Sequence, residues 1–338
     1  MIEGMKLTVL FLNLDYMEYD QQIADKLCNK GYKVFFENYC PKPSLFHRIW
    51  RLVSGIKAAT IATNCRQNQI VSKYKRKKID VVFMTAGQKM RVDTLKKLRK
   101  DHSDAVFVWY SWDYEKIVDE FAEKIKVFDY VANFEKGLSQ KYDIAYRPLF
   151  YCKKSDTPYE DRKNDISFVG TYHSNRQKYI CKILESYPEL KSRIHILKHD
   201  ERNSLRKILD YLCRNSLKLE KYCYSKGLPY QEVIDITEHS KCLLDFPFSE
   251  QVGLTIRTFE ALGAGCKLIT SNKSIKNYDF YNPNNIYVVD LDSMELPERD
   301  FFVRKYEQPP NEIVDKYSLD SWIDWLVNIF NKKYERGS

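Results

Sequence analysis

A doubly wound α/β chain, folded as two Rossmann-like halves, is what this sequence predicts. Three observations carry the expectation. Short continuous apolar runs of strand length alternate with longer charged segments of helical period. The alternation stops at one almost wholly polar stretch and then starts again. And 338 residues exceed a single ordinary core but suit two α/β domains.

Residues 7–12 form an unbroken apolar run, as a strand buried on both faces requires. A helical stretch follows over 20–29 and stops at Gly31, and residues 32–36 read as the next strand. Residues 81–84, 105–109 and 130–132 are further strand candidates, separated by charged segments such as 91–100. After Pro148 the composition shifts, and residues 153–164, KKSDTPYEDRKN, read as a linker. A second set of strand candidates follows at 166–169, 194–197, 242–244, 267–269 and 286–289. Residues 319–330 form a Trp-bearing amphipathic helix. The expected division is an N-terminal domain over 1–152, a C-terminal domain over 165–312 and a terminal helix over 313–338, a helix able to return to the first domain. Ligands of open parallel sheets bind at the carboxyl ends of the strands. Two such halves are expected to face each other across a cleft that holds the substrate.

Composition narrows the classes of function. With 44% hydrophobic and 30% charged residues the chain is globular. Its 25 tyrosines are more than a core needs, which places some of them at surfaces or in a binding cleft. A net charge of +9 points to anionic partners. Nine cysteines, scattered singly and without a Cys-x-x-Cys pair, argue against a disulfide framework and a structural zinc site. The short apolar run near the N-terminus lacks a signal-type cleavage site, and no window reaches the length of a spanning helix. The expected location is cytoplasmic, with any membrane contact made from the surface. No Gly-x-Gly-x-x-Gly or Walker loop is present, which counts against dehydrogenases and kinases.

The segment richest in chemistry is 253–272, GLTIRTFEALGAGCKLITSN. Gly253 makes a turn into a helix carrying Thr255, Arg257 and Glu260, and Gly263 and Gly265 close it before a strand. Backbone N–H groups at a helix start attract phosphate oxygens. Arg257 adds a fork of donors. Glu260, three residues on and on the same face, is placed to accept bonds from ribose hydroxyls. The plainer alternative is an Arg–Glu pair on an ordinary surface helix.

The run GLTIRTFEALGAG resembles the donor-binding helix of bacterial GT-B glycosyltransferases, in the group near the spore-maturation (CgeB-like) and lipopolysaccharide or capsule biosynthesis proteins. Three more segments match that group in order. Trp112-Asp113, in FVWYSWDYEK, is similar to its strand-end Trp-Asp; RPLFY (147–151) to the segment before its interdomain linker; and DISFVGTYHSNR (165–176) to the first strand and loop of its C-terminal domain. The resemblance spans roughly residues 80–290. It implies a GT-B fold and a hexosyltransferase using a nucleotide-diphosphate sugar, a UDP-sugar, with no required metal or cofactor. It further implies that Glu260 binds the donor ribose, that Gly253, Thr255 and Arg257 lie at the diphosphate, and that Gly170 and Arg176 border the same phosphates. Retaining members carry a second Glu eight positions before the ribose-binding one. Here Val252 holds that position, and the nearest carboxylate is Glu250, ten positions before Glu260, the candidate for that role. Retention of configuration is expected from the match at Glu260.

Asp113 admits two readings. At a strand end it would face the acceptor, as a base or as a group orienting the acceptor hydroxyl. Alternatively it caps the helix that starts near Tyr114. Asp290-Leu291-Asp292 mimics a cation-binding Asp-x-Asp pair, but it follows a strand in a two-Rossmann context and reads as a loop. His195 and His199 are four apart on a strand-like run, so they would not share a helical face.

Residues 42–79 contain ten Lys or Arg and no Asp or Glu. Leu45, Ile49, Leu52, Val53 and Ile56 recur at helical spacing beside Phe46 and Trp50, while Arg48, Arg51 and Lys57 lie mostly elsewhere on the wheel. Such a basic amphipathic helix suits an anionic membrane surface, the inner face of the cytoplasmic membrane. The alternative is a helix packed on its own sheet with a solvated basic face. The expected acceptor is a lipid-linked saccharide of a surface polysaccharide, with a membrane lipid such as ceramide or diacylglycerol as the alternative. Two rivals stand beside the transferase. A sugar-nucleotide epimerase would consume donor without acceptor. Nucleic-acid binding would rest on KYKRKK (73–78), but no nucleic-acid motif accompanies that run.

Overall fold

The computed structural model of the chain describes residues 7–14, 18–41, 56–172, 176–198, 219–248 and 250–335. They divide into two units: Met1–Pro148 with Asp320–Ser338, and Leu149–Leu319. The break falls at Pro148, ahead of the polar stretch expected as a linker.

The first unit runs β1 (Thr8–Asn13), α1 (Tyr19–Asn29), β2 (Lys33–Asn38), α2 (Ile56–Tyr74), β3 (Val81–Thr85), α3 (Val92–Asp101), β4 (Val106–Ser111), α4 (Phe121–Ile125), β5 (Tyr130–Asn133), α5 (Lys136–Tyr142) and β6 (Ala145–Tyr146). Its parallel sheet has the order β2-β1-β3-β4-β5-β6. Val9 to Leu12 and Val81 to Met84 are wholly buried, because helices cover both faces of a parallel sheet and leave no wet side for polar residues. Chain direction across the sheet reverses between β1 and β3. Such a reversal point is where open parallel sheets bind their ligands, at the carboxyl ends of the strands.

The second unit runs β7 (Ile166–Thr171), α6 (Arg176–Ser186), β8 (Ser192–Leu197), β9 (Cys223–Tyr224), α7 (Tyr230–Glu238), β10 (Cys242–Asp245), α8 (Ile256–Ala264), β11 (Lys267–Thr270), β12 (Ile286–Val288), α9 (Arg299–Val303) and α10 (Asn311–Lys316). Its sheet, also parallel, has the order β12-β11-β10-β7-β8-β9, so its reversal lies between β7 and β10. Two Rossmann-like sheets, each with flanking helices, are the α/β architecture the sequence predicts.

The stretch 153–164 is part of the second unit and puts one side chain in its interior. Arg162 is buried and donates from Nη1 to the carbonyls of Ser240 (3.0 Å) and Gly265 (2.9 Å), and from Nη2 to that of Ala264. Helix α8 leaves its last carbonyls without intrahelical donors, and Arg162 supplies them. Gly265 ends that helix at φ 61°, a left-handed conformation in which a side chain would be strained, and Cys266 N closes back on Ala261 O at 2.8 Å.

The last helix, α11 (Leu319–Glu335), belongs with the first unit from Asp320 onward, so the terminal helix returns to the N-terminal sheet as expected. Its apolar face explains the return. Trp322 is fully buried against Tyr110 (ring centroids 4.9 Å) and Phe83 (6.4 Å), and Phe330 packs on Phe83 (5.8 Å) and Tyr32 (5.9 Å). Ion pairs Lys26–Asp320 and Lys30–Asp324, each 2.6 Å, run along its edge with α1, but both are exposed and add little.

The aromatic contacts thus carry α11. Trp322→Ala should destabilise the first unit by about 3–5 kcal/mol in urea unfolding, the range for deleting a large buried aromatic. A loss below about 1 kcal/mol would show that the helix is dispensable to the core.

Candidate functional site

In the second unit the carboxyl ends of β7 and β10 are tied together by one side chain. Arg176, at the start of α6, donates from Nη1 to Phe246 O (3.0 Å), just past β10, and from Nη2 to Thr171 Oγ1 (3.0 Å), the end of β7. Its guanidinium also lies 5.2 Å from the Phe168 ring centroid. Burial lowers its pKa to about 10. Its Nε–H is buried with no acceptor among the described residues. Gly170 makes this packing possible: a Cβ there would stand 2.8 Å from Phe168 Cζ and 3.5 Å from Arg176 Nη2. A cation held at the reversal point, with a donor left over, is what an anionic ligand at this edge would need.

Beside it starts α8. Thr255 is its N-cap, its Oγ1 accepting from Thr258 N at 3.4 Å. Thr255 and Thr258 both donate their hydroxyls to Asp245 Oδ2, at 2.6 and 2.9 Å. Asp245, the last residue of β10, is buried, and that burial raises its pKa against the lowering effect of the two hydroxyls. The preceding turn is fixed from β11. Asn272 Nδ2 donates to Val252 O (3.0 Å) and Gly253 O (3.1 Å), and Ser274 Oγ to Val252 O (2.8 Å). Gly253 is buried within this turn, whereas Glu250 and Val252 are exposed.

Arg257 and Glu260 form an ion pair of 2.6 Å, and Arg257 Nη1 also donates to Thr237 Oγ1 at 3.2 Å. The pair is not the exposed one of the plainer alternative: the Glu260 side chain is 3% and that of Arg257 14% exposed. Burying two charges is costly even when they are paired. Of the residues singled out in the sequence, Gly170, Arg176, Gly253, Thr255, Arg257 and Glu260 all lie on the β7 and β10 connections. Asp245 and Asn272, which hold the loop and helix start together, carry no signal in the sequence.

In the first unit, buried polar groups gather at the carboxyl ends of β3 and β4. Thr85 Oγ1 donates to Asp20 Oδ1 at 2.6 Å, joining the end of β3 to α1. The following turn is strained, with positive φ at Ala86 (60°), Gly87 (132°) and Lys89 (59°). Trp109 Nε1 holds Ala86 O at 2.6 Å, and Gly87 N donates to the buried Tyr39 hydroxyl at 3.2 Å. Gln88, in the same turn, donates from Nε2 to Asp113 Oδ1 at 2.9 Å. The other oxygen, Asp113 Oδ2, is buried without a hydrogen-bond partner among the described residues. Burial raises the pKa of this carboxyl to about 6. Asp113 does not act as a helix cap: the next element is a 3-10 turn, Glu115–Ile117, capped by Tyr114 without any side-chain bond.

Phe46, Arg48, Trp50 and Arg51 lie outside the described residues; Lys57 falls in the first turn of α2. The rest of α2 packs on its own sheet through Gln67, Ile70 and Tyr74. Two of its cations are engaged there. Arg66 and Lys73, each at 2.5 Å, and the Tyr74 hydroxyl, at 2.6 Å, surround the buried carboxylate of Glu37. No helix among the described residues is long and apolar enough to cross a membrane. Asp290 accepts from Asp292 N (3.0 Å) and pairs with Lys273 (2.8 Å), so the Asp-x-Asp run closes on itself as a loop. His195 stands on β8, stacked on Tyr224 at 4.2 Å.

No protein-family model matches the sequence, and no curated protein matches it significantly. Solved structures match over nearly the whole chain. The α,α-trehalose-phosphate synthase (UDP-forming) of Burkholderia vietnamiensis is 9% identical with a TM-score of 0.59, covering 97% of this chain and 100% of its own. Anabaena HepE in complex with UDP-glucose is 8% identical, also at 0.59, covering 96% and 99%. The UDP-GlcNAc 2-epimerase of Methanocaldococcus jannaschii is 10% identical at 0.51, covering 92% and 98%. At such identities the likeness is one of fold: the chain has the two-domain Rossmann-like architecture of GT-B proteins.

The Asp113 carboxyl gives a pH-dependent prediction. Its pKa in the folded chain lies above its ordinary 3.8, so ionisation opposes folding. That opposition is absent below the ordinary pKa and is complete once the pH has risen through about 6. Asp113→Asn should therefore stabilise the fold near neutrality by about 1–3 kcal/mol, and the gain should vanish near pH 4. Urea unfolding at the two pH values measures it. A variant less stable than the parent at neutral pH would show that the carboxylate is a structural anchor.

Proposed function

We propose that the chain is a glycosyltransferase that moves a sugar from a nucleoside-diphosphate donor, a UDP-sugar, to a hydroxyl acceptor. The observation that carries this reading is Arg176, its Nε–H buried and unmatched at the reversal point of the second sheet, beside the N-cap of α8 and one turn from the buried Glu260. Cation, helix start and carboxylate are what a nucleotide diphosphate asks for: phosphate oxygens at N–H groups and guanidinium, ribose hydroxyls at the acid. The fold shared with the trehalose-phosphate synthase and HepE supports it.

In this reading Arg176, Gly253, Thr255 and Arg257 receive the diphosphate, with Gly170 keeping that edge open. As the glycosidic bond breaks, negative charge grows on the leaving diphosphate, and donors fixed in advance at that place lower the barrier most. Arg257 must loosen its bond to Glu260 to contribute, freeing the acid for ribose. Asp113 takes the proton of the acceptor hydroxyl or orients it, its bare Oδ2 being the available acceptor. Transfer is with retention, and no metal is required. Glu250, exposed and ten positions before Glu260, is the carboxylate proposed for the donor sugar. The affiliation we infer is the CgeB-like lipopolysaccharide and capsule group. The acceptor is a lipid-linked saccharide, or alternatively a membrane lipid, met at the cytoplasmic face of the membrane.

An epimerase is the second reading, since the archaeal epimerase shares the fold. It would turn over nucleotide sugar with no acceptor present, whereas a transferase would not beyond slow hydrolysis.

A thermal-shift screen of nucleotides and nucleotide sugars tests the donor site, because a ligand bound only by the folded state stabilises it. UDP or a UDP-sugar should raise the melting temperature, with EDTA making no difference to transfer. Glu260→Ala should lose at least about tenfold in donor affinity, from a charged hydrogen bond worth ~1.5–3 kcal/mol. Undiminished donor affinity in that folded variant would end the assignment of Glu260.

Membrane contact has its own test, co-sedimentation with anionic and neutral vesicles. Changing Arg48, Trp50, Arg51 and Lys57 to neutral polar residues should weaken binding to anionic vesicles, and added salt should weaken the parent likewise. Equal sedimentation of both proteins would return the segment to the helix-on-sheet alternative.

A further inference from the structure

We propose that Asp245 is the positioning residue of the donor site, holding the start of α8 through Thr255 and Thr258 and setting by its charge how tightly a diphosphate binds there. The proposal rests on the donor reading above and adds a residue to it.

The geometry separates two effects. A single oxygen, Oδ2, accepts both threonine hydroxyls. Because Thr255 Oγ1 also accepts from Thr258 N, its own proton is directed to Asp245, and the hydroxyl is locked as a relay between the end of β10 and the first turn of α8. Asp245 thus fixes where the helix starts, and so where its first N–H groups point. That work needs an acceptor but not a charge.

The charge acts separately. The cations that face Asp245 are Arg176 from α6 and Arg257 from α8. Neither makes a direct bond to it: the Arg176 Nη atoms donate to Phe246 O and Thr171 Oγ1, and Arg257 bonds Glu260 and Thr237. On these elements two guanidiniums therefore stand against two carboxylates, Asp245 and Glu260. A diphosphate entering this buried edge meets a field already balanced, and the Asp245 carboxylate repels it at low dielectric. Binding is eased if Asp245 takes up a proton, and the neutral acid still accepts from both hydroxyls. Donor affinity should therefore rise as pH falls, and the charge that weakens donor binding should also speed departure of the diphosphate product.

Two substitutions pull in opposite directions. Asp245→Asn keeps an acceptor oxygen and removes the charge; Asp245→Ala removes both. In the apo protein, amide exchange at residues 256–258 should quicken in Asp245→Ala and stay at the parent rate in Asp245→Asn. With UDP-glucose as probe, calorimetry at about pH 8 should show Asp245→Asn binding roughly tenfold tighter than the parent and Asp245→Ala binding more weakly, and the Asn advantage should shrink as the pH is lowered. A merely structural residue would make both variants weaker at every pH. Unchanged exchange in Asp245→Ala, or an Asn variant as weak as the Ala variant, overturns the proposal. If the parent binds neither UDP-glucose nor any other nucleotide sugar, the donor reading has failed, and the exchange rates alone decide whether Asp245 positions α8.

Discussion

The guanidinium of Arg176 ties β7 to β10 at the point where the second sheet reverses its order. Its planar fork explains why the position needs Arg: Nη1 and Nη2 reach a carbonyl and a hydroxyl on different strands while Nε remains. The same contacts dictate Gly170, since any side chain there would collide with Phe168 and crowd the guanidinium. Across the strand ends, Asp245 fixes α8, and Asn272 fixes the turn that enters it. The site is therefore a set of strand-end polar groups, each bonded to a neighbouring connection.

The central strands were legible in the sequence because burial on both faces leaves an unbroken apolar run, as at residues 7–12 and 81–84. The edges were not. β6, Ala145–Tyr146, and β9, Cys223–Tyr224, are two residues long and half wet, and a pair of residues has no periodicity to read. The polar stretch 153–164 misled for a related reason. Its composition is that of a solvated connection, yet Arg162 lies in the interior because the carbonyls at the end of α8 need donors. The return of α11 was legible through its Trp-bearing apolar stripe, which has to be covered by something.

The candidate site was legible where chemistry follows local spacing. Arg257 and Glu260, three apart on a helix, are brought together as spacing requires, but spacing cannot say how deep the helix face lies, and the pair is buried rather than at the surface. Asp245 and Asn272 were invisible because a lone polar residue at a strand end has no pattern. Their meaning comes from partners 10 and 13, or 19 and 20, residues away. Asp113 was visible beside Trp112, but whether it capped a helix depended on where the next turn begins.

The two units handle a buried strand-end carboxyl in opposite ways, and the difference bears on what each is for. At Asp245 two hydroxyls donate to one oxygen, so it can hold a helix start whether or not it is ionised. Asp113 has one oxygen on Gln88 and the other bare in a buried place, so it is held at the cost of stability. A fold with no use for that oxygen could close over it with an apolar residue, or bring up a second donor from the strained turn at 86–89 that already supplies Gln88. Strain in that turn and an unmatched carboxylate oxygen beside it are both unfavourable alone. In the proposed reaction an acceptor hydroxyl would enter, donate to Oδ2 and complete the set. On the proposed reading the first unit stores its unfavourable energy where a proton would be taken up, and the second where negative charge would be received, the division of labour that group transfer between an anionic donor and a hydroxyl acceptor would demand.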